Sequence, residues 1–271
     1  MPIQTVESQR LYQQVAGQLG ELIRQGEFLP GDRLPPERDL ARQLGVSRPT
    51  VREAMIALEI AGLVEVRTGS GAYVRKAPQS GVLPFAPPDI GPSPFELIAA
   101  RRLIEPEVAF AAAGCMHAGV LAGIAETLDM MHTGIEAGAG VEAADRLFHT
   151  RIAAATGNTV LASIVEQLWD STFEPIFDGL SRHTGLPDNQ KAALAGHLRI
   201  FNALEGGDGA GARHAMRDHL TEVETIMMAE DWPAPESATG AVLYRCPRKA
   251  RTGEVPNRPN GQCDQKPEWA D

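Results

Sequence analysis

The sequence predicts a mainly α-helical protein with a small N-terminal unit and a larger, all-helical C-terminal unit. Hydrophobic residues make up 43% of the 271 residues, enough for a substantial core, whereas aromatic residues make up only 5%. A core poor in Tyr and Trp relies on Ala, Leu, Ile, Val and Met, which favours packed helices over a β-sandwich. Apolar residues recur at helical spacing in both units, and a stretch with six prolines, residues 77–94, separates them.

Three helices followed by a β-hairpin are predicted within residues 1–76. Leu11, Val15 and Leu19 share one face of the first helix, Gly45 ends the second, and Ser47 is a candidate N-cap for the third. Two short helices joined by a tight turn that contains a glycine, and then a hairpin, form a winged helix-turn-helix. The predicted bounds are 9–25, 36–45 and 47–61 for the helices and 63–67 and 72–75 for the strands.

The rest of the chain divides by composition. Residues 95–230 contain several amphipathic helical segments and no internal repeat, which predicts an all-α helical bundle. The Pro-rich residues 77–94 are predicted to be a linker. Residues 231–271 are rich in Pro, Gly and charged residues without a periodic apolar face, so we expect a disordered tail. The predicted domain bounds are 1–76, 77–94, 95–230 and 231–271.

The formal net charge of −10 is distributed unevenly along the chain. Residues 1–76 hold 10 Lys/Arg and 9 Asp/Glu, whereas residues 77–230 hold 9 Lys/Arg and 20 Asp/Glu. The N-terminal unit can therefore approach a polyanion that the acidic middle segment would repel.

The cysteine count and the hydropathy pattern predict a cytoplasmic protein that does not cross a membrane. Cys115, Cys246 and Cys263 are odd in number and far apart, so they form neither a disulfide framework nor a CxxC metal site. Residues 1–25 lack the basic start and apolar region of a signal peptide. The longest uncharged stretch, residues 108–125, is Ala/Gly-rich, which is typical of a buried helix and a turn.

Cations and hydroxyl groups cluster where a winged helix-turn-helix would meet DNA. The N-terminus of the third helix is the part that reaches phosphates and base edges, and a glycine at the hairpin tip allows the backbone to approach a minor groove. The candidate contact residues occupy the starts of the second and third helices and the hairpin tip: Arg38, Ser47, Arg48, Thr50, Arg52 and Gly69.

The N-terminal unit strongly resembles the GntR family of bacterial transcription regulators. The resemblance rests on PPERDLA, GVSRPTVREA and the G-x-G hairpin tip. It implies contacts to double-stranded operator DNA from three arginines, assisted by two hydroxyls and one glycine: Arg38, Arg48 and Arg52, with Ser47, Thr50 and Gly69. We expect Arg48 to contact a guanine edge, since bidentate pairing favours that base.

A possible metal site is visible in the middle segment. Asp145 and His149 are four residues apart in VEAADRLFHTRIAAA and share a helix face with apolar neighbours. His197 and His219 also lie among apolar residues of two further helices. Buried imidazoles and carboxylates need partners. Spacing alone leaves two interpretations. Either the four side chains converge on one Zn²⁺, Ni²⁺ or Mn²⁺ ion, or each histidine has its own separate hydrogen-bond partner and holds no metal.

Residues 95–230 resemble the FCD ligand-binding domain of the FadR-type branch of that family. The matching segments are FELIAARRLIEPEVA, DRLFHTRIAAATGN and GHLRIFNALEGGDGAGARHAMRDHL. The resemblance implies a divalent metal, Zn²⁺ first, held by one carboxylate and three imidazoles: Asp145, His149, His197 and His219. It also implies that Arg101 faces the effector pocket and that Glu105 fixes this arginine or its helix. Gly196 departs from the family pattern, in which an acidic residue often precedes the histidine.

These observations predict a one-component transcription regulator. The resemblance implies a homodimer on a pseudo-palindromic operator, acting as a repressor that a small carboxylate controls. The segment PFELIAAR is similar to the hexuronate-responsive members of the branch, so we expect a sugar acid first and lactate or another 2-hydroxy acid second.

Two alternatives remain open at this point. One is a regulator without metal that binds a larger apolar or acyl ligand, with structural histidines. The other is a metal-dependent enzyme. The absence of a nucleophile elbow, a P-loop and an HExxH motif argues against an enzyme.

Overall fold

The computed structural model describes residues 9–67, 70–76, 87–184 and 186–228. Within these ranges the protein contains ten α-helices and one two-stranded antiparallel sheet, so the predicted mainly α-helical class is confirmed. None of the described helices is both long enough and apolar enough to cross a lipid bilayer. Gly69, the tail 231–271 and part of the predicted linker lie outside the described residues.

The N-terminal unit is a three-helix winged helix-turn-helix. Gly45 adopts a left-handed conformation with a φ of 69° and ends the second helix, while the Ser47 hydroxyl accepts a hydrogen bond from the Thr50 amide and caps the third. The strands pair antiparallel, with Val64 opposite Val74. Its elements are α1 (Leu11–Arg24), α2 (Glu37–Leu44), α3 (Arg48–Ile60), β1 (Val64–Arg67) and β2 (Gly71–Val74).

The C-terminal unit is an all-helical bundle. Ser93 caps its first helix by accepting from the Glu96 amide, and Asn158 caps its fourth. Two short 3₁₀ segments, Ser171–Phe173 and Pro187–Asn189, flank the fifth helix. The helices are α4 (Pro94–Ala113), α5 (Ala118–Ala137), α6 (Glu142–Ala155), α7 (Thr159–Asp170), α8 (Pro175–Arg182), α9 (Gln190–Glu205) and α10 (Gly209–Met228).

The core of the bundle positions the candidate site. Helix α10 packs along α4 and α9, and α6 packs between α5 and α7. Phe148, Ile200 and Leu220 are fully buried where α6, α9 and α10 meet. The buried polar residues of the next section therefore project from helices whose apolar faces are fixed against one another.

The two units are in direct contact through α3. Helix α8 of the bundle packs against α3, and its fully buried Ile176 belongs to the apolar core of the N-terminal unit. The Ser93 hydroxyl donates to Glu53 of α3. The helix that begins with the candidate DNA contacts is thus also a packing surface for the C-terminal unit.

Candidate functional site

Four predicted metal ligands converge inside the bundle. Asp145 and His149 lie on α6, His197 on α9 and His219 on α10, and one potential ligand atom from each lies within 4.8 Å of the others. The Nε2 atoms of His149 and His197 are 3.3 Å apart, and Asp145 Oδ1 lies 3.0 Å from His197 Nε2 and 3.3 Å from His149 Nε2. The three imidazoles are at most 2% exposed.

The donor set fits a divalent metal ion. In a tetrahedral site with bonds of about 2.0–2.1 Å, ligand atoms are about 3.3 Å apart. The distances among Asp145, His149 and His197 are close to this value, at 3.0–3.3 Å. Burial, followed by the neighbouring His197 and His149, lowers the pKa of His219 well below its usual value, which favours the neutral imidazole that a metal ion requires. Burial raises the pKa of Asp145, but His197 and His149 outweigh it and keep this carboxylate ionised.

Glu105 of α4 connects the cluster to Arg101. Its Oε2 atom lies 2.5 Å from His149 Nδ1, and its Oε1 atom accepts a 2.7 Å hydrogen bond from Arg101 Nε. Burial raises the pKa of Glu105, but the charges of Arg101 and His149 bring it down to about 2. Glu105 therefore orients the His149 ring with Nε2 toward the cluster, a contact that the sequence analysis missed because it joins two helices.

His219 is seated against Gly196. A Cβ at position 196 would lie 2.8 Å from His219 Nδ1, so a larger residue would displace the ring. The Nδ1 atoms of His197 and His219 have no hydrogen-bond partner within the described part of the chain. His149 differs from these two in that its Nδ1 lies 2.5 Å from a carboxylate oxygen, that of Glu105.

A cavity of about 510 Å³ opens beside the cluster. Its lining includes Arg101, Asp145, His197 and His219, and the Arg101 guanidinium lies 3.9 Å from the centre of the Trp169 ring. Arg101 is only 3% exposed. A buried cation next to possible metal ligands can bind an anionic group. Further polar residues line the remaining wall among apolar side chains: Thr172, Asp178, Ser181 and Gln190.

Most of the described candidate DNA contacts form one accessible surface. The Arg38 side chain is 75% exposed, and the Ser47 and Thr50 hydroxyls are 2.8 Å apart. Arg48 is partly exposed, with Nη2 3.9 Å from Glu37. Arg42, four residues after Arg38 on α2, has a 71% exposed side chain and extends this surface. The sequence analysis did not select Arg42, although the four-residue spacing was visible.

Arg52, which the sequence analysis predicted as a DNA contact, is buried in this structure. Its guanidinium is buried and donates two 3.0 Å hydrogen bonds to the Glu37 carboxylate and one of 2.7 Å to the Met227 carbonyl at the end of α10. Helical spacing placed Arg52 one turn after Arg48. It could not reveal that α2 and α10 cover that position, so Arg52 does not face DNA in this arrangement.

Comparisons with known proteins agree with both halves of this description. Residues 11–74 match the family described as "Bacterial regulatory proteins, gntR family", and residues 96–222 match the "FCD domain". The "Uxu operon transcriptional regulator" of Escherichia coli K12 is 37% identical, with 82% of this chain and 88% of that relative covered. The "Exu regulon transcriptional regulator" of the same strain is 36% identical, with 84% and 88% covered.

The chain is also similar to a further regulator and to a solved structure. The "HTH-type transcriptional regulator LutR" of Bacillus subtilis is 33% identical, with 76% of this chain and 96% of that relative covered. A solved Streptococcus agalactiae GntR structure is 26% identical, covers 78% of this chain and 98% of its own, and has a TM-score of 0.41.

Proposed function

Since the chain belongs to the GntR family of bacterial regulatory proteins and carries an FCD domain, we infer that it is a DNA-binding transcription regulator with a metal-dependent sensor. We propose that it represses transcription as a homodimer and that a small carboxylate lowers its affinity for the operator. Its relatives are transcription regulators and not enzymes. The proposed metal therefore serves ligand recognition and not turnover.

The observation that carries this proposal is the common location of the four candidate ligands and Arg101. Asp145, His149, His197 and His219 would hold the ion, with Zn²⁺ expected first and Ni²⁺ or Mn²⁺ as alternatives. When bound, the ion supplies a Lewis-acid position for a carboxylate or hydroxyl oxygen. Arg101 lies in the same cavity and pairs with the effector carboxylate, while Glu105 holds that guanidinium in place.

The effector that this cavity supports best is a sugar acid. A volume of about 510 Å³ leaves room for a ligand of hexose size, and a wall with hydroxyl, carboxylate and amide groups can bind several ligand hydroxyls. The PFELIAAR segment at the start of α4 is similar to hexuronate-responsive members of the branch. The relatives named for the Uxu operon and the Exu regulon support the same choice. Lactate is the second choice, since it has a single hydroxyl for that polar wall.

A metal and ligand assay tests the proposal directly. The dialysed protein should retain about one divalent ion per chain by elemental analysis, and galacturonate at 100 times its Kd should raise the Tm by roughly 5–10 °C unless EDTA is present. His197→Ala should abolish both effects. His214→Ala, which removes an exposed imidazole from α10, is the matched control. Stabilisation by acyl compounds alone, independent of metal, would contradict the metal-centred proposal.

A further inference from the structure

Helix α8 has one face on the cavity and the other on the recognition helix α3. Phe177, Asp178 and Ser181 line the cavity, whereas Ile176 is buried in the core of the N-terminal unit. Helical periodicity puts these two sets on different sides of the same eight-residue helix. A ligand that pushes against α8 therefore acts on an element already packed on α3.

The contact between α8 and α3 is close because position 179 is glycine. A Cβ on Gly179 would lie 2.5 Å from Cγ2 of Ile56, a fully buried residue of α3, so any larger residue would force the helices apart. At the end of α8, His183 Nε2 lies 2.6 Å from Glu59 Oε2 near the end of α3. Two successive turns of α8 are thus fixed on α3, one by packing and one by a polar contact.

The last turn of α10 holds α3 from a second direction. The Met227 carbonyl accepts from Arg52 Nη1, and Glu37 binds the other side of the same guanidinium. Val223, one turn earlier on α10, lines the cavity. Two helices that line the cavity, α8 and α10, therefore contact α3. The contact with α10 helps to keep Arg52 of the recognition helix buried.

We propose that α8 and α10 form a clamp on the recognition helix, which withholds Arg52 from DNA until the clamp opens. The inference rests on the proposed function, and it specifies how that function is regulated. A ligand that fills the cavity against α8 favours the closed clamp, in which Arg52 remains on Met227 and operator affinity is low. An open clamp lets Arg52 turn toward the groove beside Arg48. By linkage, a change that opens the clamp strengthens DNA binding and weakens ligand binding.

The experiment uses the full-length protein and a DNA duplex that it selects from a random-sequence pool. His183→Ala removes the contact with Glu59, and Gly179→Ala separates α8 from Ile56; neither changes a candidate DNA contact or a residue lining the cavity. Fluorescence anisotropy should show that each variant binds the duplex about fivefold tighter or more, and that galacturonate with Zn²⁺ weakens this binding less than in the parent.

Matched variants separate the clamp from general effects of substitution. His183→Gln keeps an N–H donor for Glu59 and should behave as the parent. His214→Ala removes an exposed imidazole from α10 and should do the same. In a double variant, His183→Ala should give no gain when Arg52→Ala is also present, because the released group is then missing.

Each outcome decides the inference. Folded His183→Ala and Gly179→Ala proteins that bind the duplex as weakly as the parent would overturn the clamp. A gain that persists with Arg52→Ala would overturn the role of Arg52. If galacturonate leaves the parent's DNA binding unchanged, the sugar-acid effector of the proposed function fails. The affinities measured without galacturonate still test the clamp in that case.

Discussion

Glu105 is the residue at which the candidate metal centre and the candidate anion site meet. It is 2% exposed and contacts both His149 and Arg101, so one carboxylate compensates two buried groups. A carboxylate on the far nitrogen of a metal-bound imidazole fixes the ring and increases its basicity. Glu105 is therefore expected to affect metal affinity without being a ligand.

We predict that Glu105→Gln lowers Zn²⁺ affinity by roughly 10- to 100-fold, the effect typical of such supporting groups. Glutamine keeps an oxygen for Arg101 but loses the negative charge beside His149. Competition with a chromophoric chelator measures the affinity, and thermal unfolding in EDTA reports separately on the fold. Glu107→Gln, on the same helix but bonded to the surface residue Arg213, is the control. Equal Zn²⁺ affinities of parent and Glu105→Gln would refute this role.

At the scale of the element, the sequence predicted those features that depend on residues close together in the chain, such as where helices and strands begin and end. The bounds of α1–α3 and of both strands lie within about two residues of the prediction, because apolar spacing, Gly45 and the Ser47 cap are local signals. Contacts between distant elements were not predictable in this way. The Arg52 contact with Met227 spans 175 residues and the His183 contact with Glu59 spans 124.

The candidate metal site was more accessible to prediction than the contacts between the units. The four-residue spacing of Asp145 and His149 places both on one helix face. The resemblance to the FCD domain predicted that His197 and His219 join them as ligands. No periodic pattern indicates that Glu105 of α4 approaches His149, because the approach depends on how α4 packs on α6. The contact between Glu105 and His149 is thus determined by helix packing, which the spacing of residues in the sequence does not show.

The junction of α3 and α4 contains a buried carboxyl with a pH-dependent effect on stability. Glu53 of α3 is 4% exposed and accepts from Ser93, the N-cap of α4. Burial raises the pKa of Glu53 from about 4.5 to about 7. Since the folded pKa exceeds the unfolded one, this group's contribution is greatest below about pH 4.5 and is lost as pH rises to about 7.

We predict that Glu53→Gln removes this pH dependence. Relative to the parent, the variant's free energy of unfolding should rise by at most about 3 kcal/mol between pH 5 and pH 8, since each pKa unit corresponds to 1.36 kcal/mol. Urea unfolding at one-unit pH intervals measures the difference. Glu166→Gln, which removes an exposed carboxylate from α7, should keep the parent's pH trend. A constant difference between Glu53→Gln and the parent would disprove the assignment.

At the scale of the whole molecule, charge separates the DNA-binding unit from the rest. The N-terminal 76 residues are nearly neutral overall, with 10 cationic and 9 anionic residues, while residues 77–230 carry 20 acidic against 9 basic residues. Several of the N-terminal acids are paired with arginines of the same unit, such as Glu37 with the buried Arg52 and Asp39 with Arg42. We therefore expect exposed arginines such as Arg38 and Arg42 to provide the positive charge that meets phosphates, and the acidic bundle to disfavour other binding orientations.

This distribution predicts how operator binding depends on salt. Each phosphate contact contributes about −0.9 to the slope of log K against log salt, so Arg38→Ala, acting twice in a homodimer, should make the slope shallower by about 1.8. Anisotropy titrations with the selected duplex from 50 to 300 mM salt, a range set around roughly 0.15 M physiological ionic strength, measure it. Arg146→Ala removes a cation that pairs with Asp170 in the acidic bundle, and it should leave the slope unchanged. An unchanged slope with Arg38→Ala would mean that this exposed arginine does not contact the phosphate backbone, and a change of half the expected size would indicate that a single protomer engages DNA.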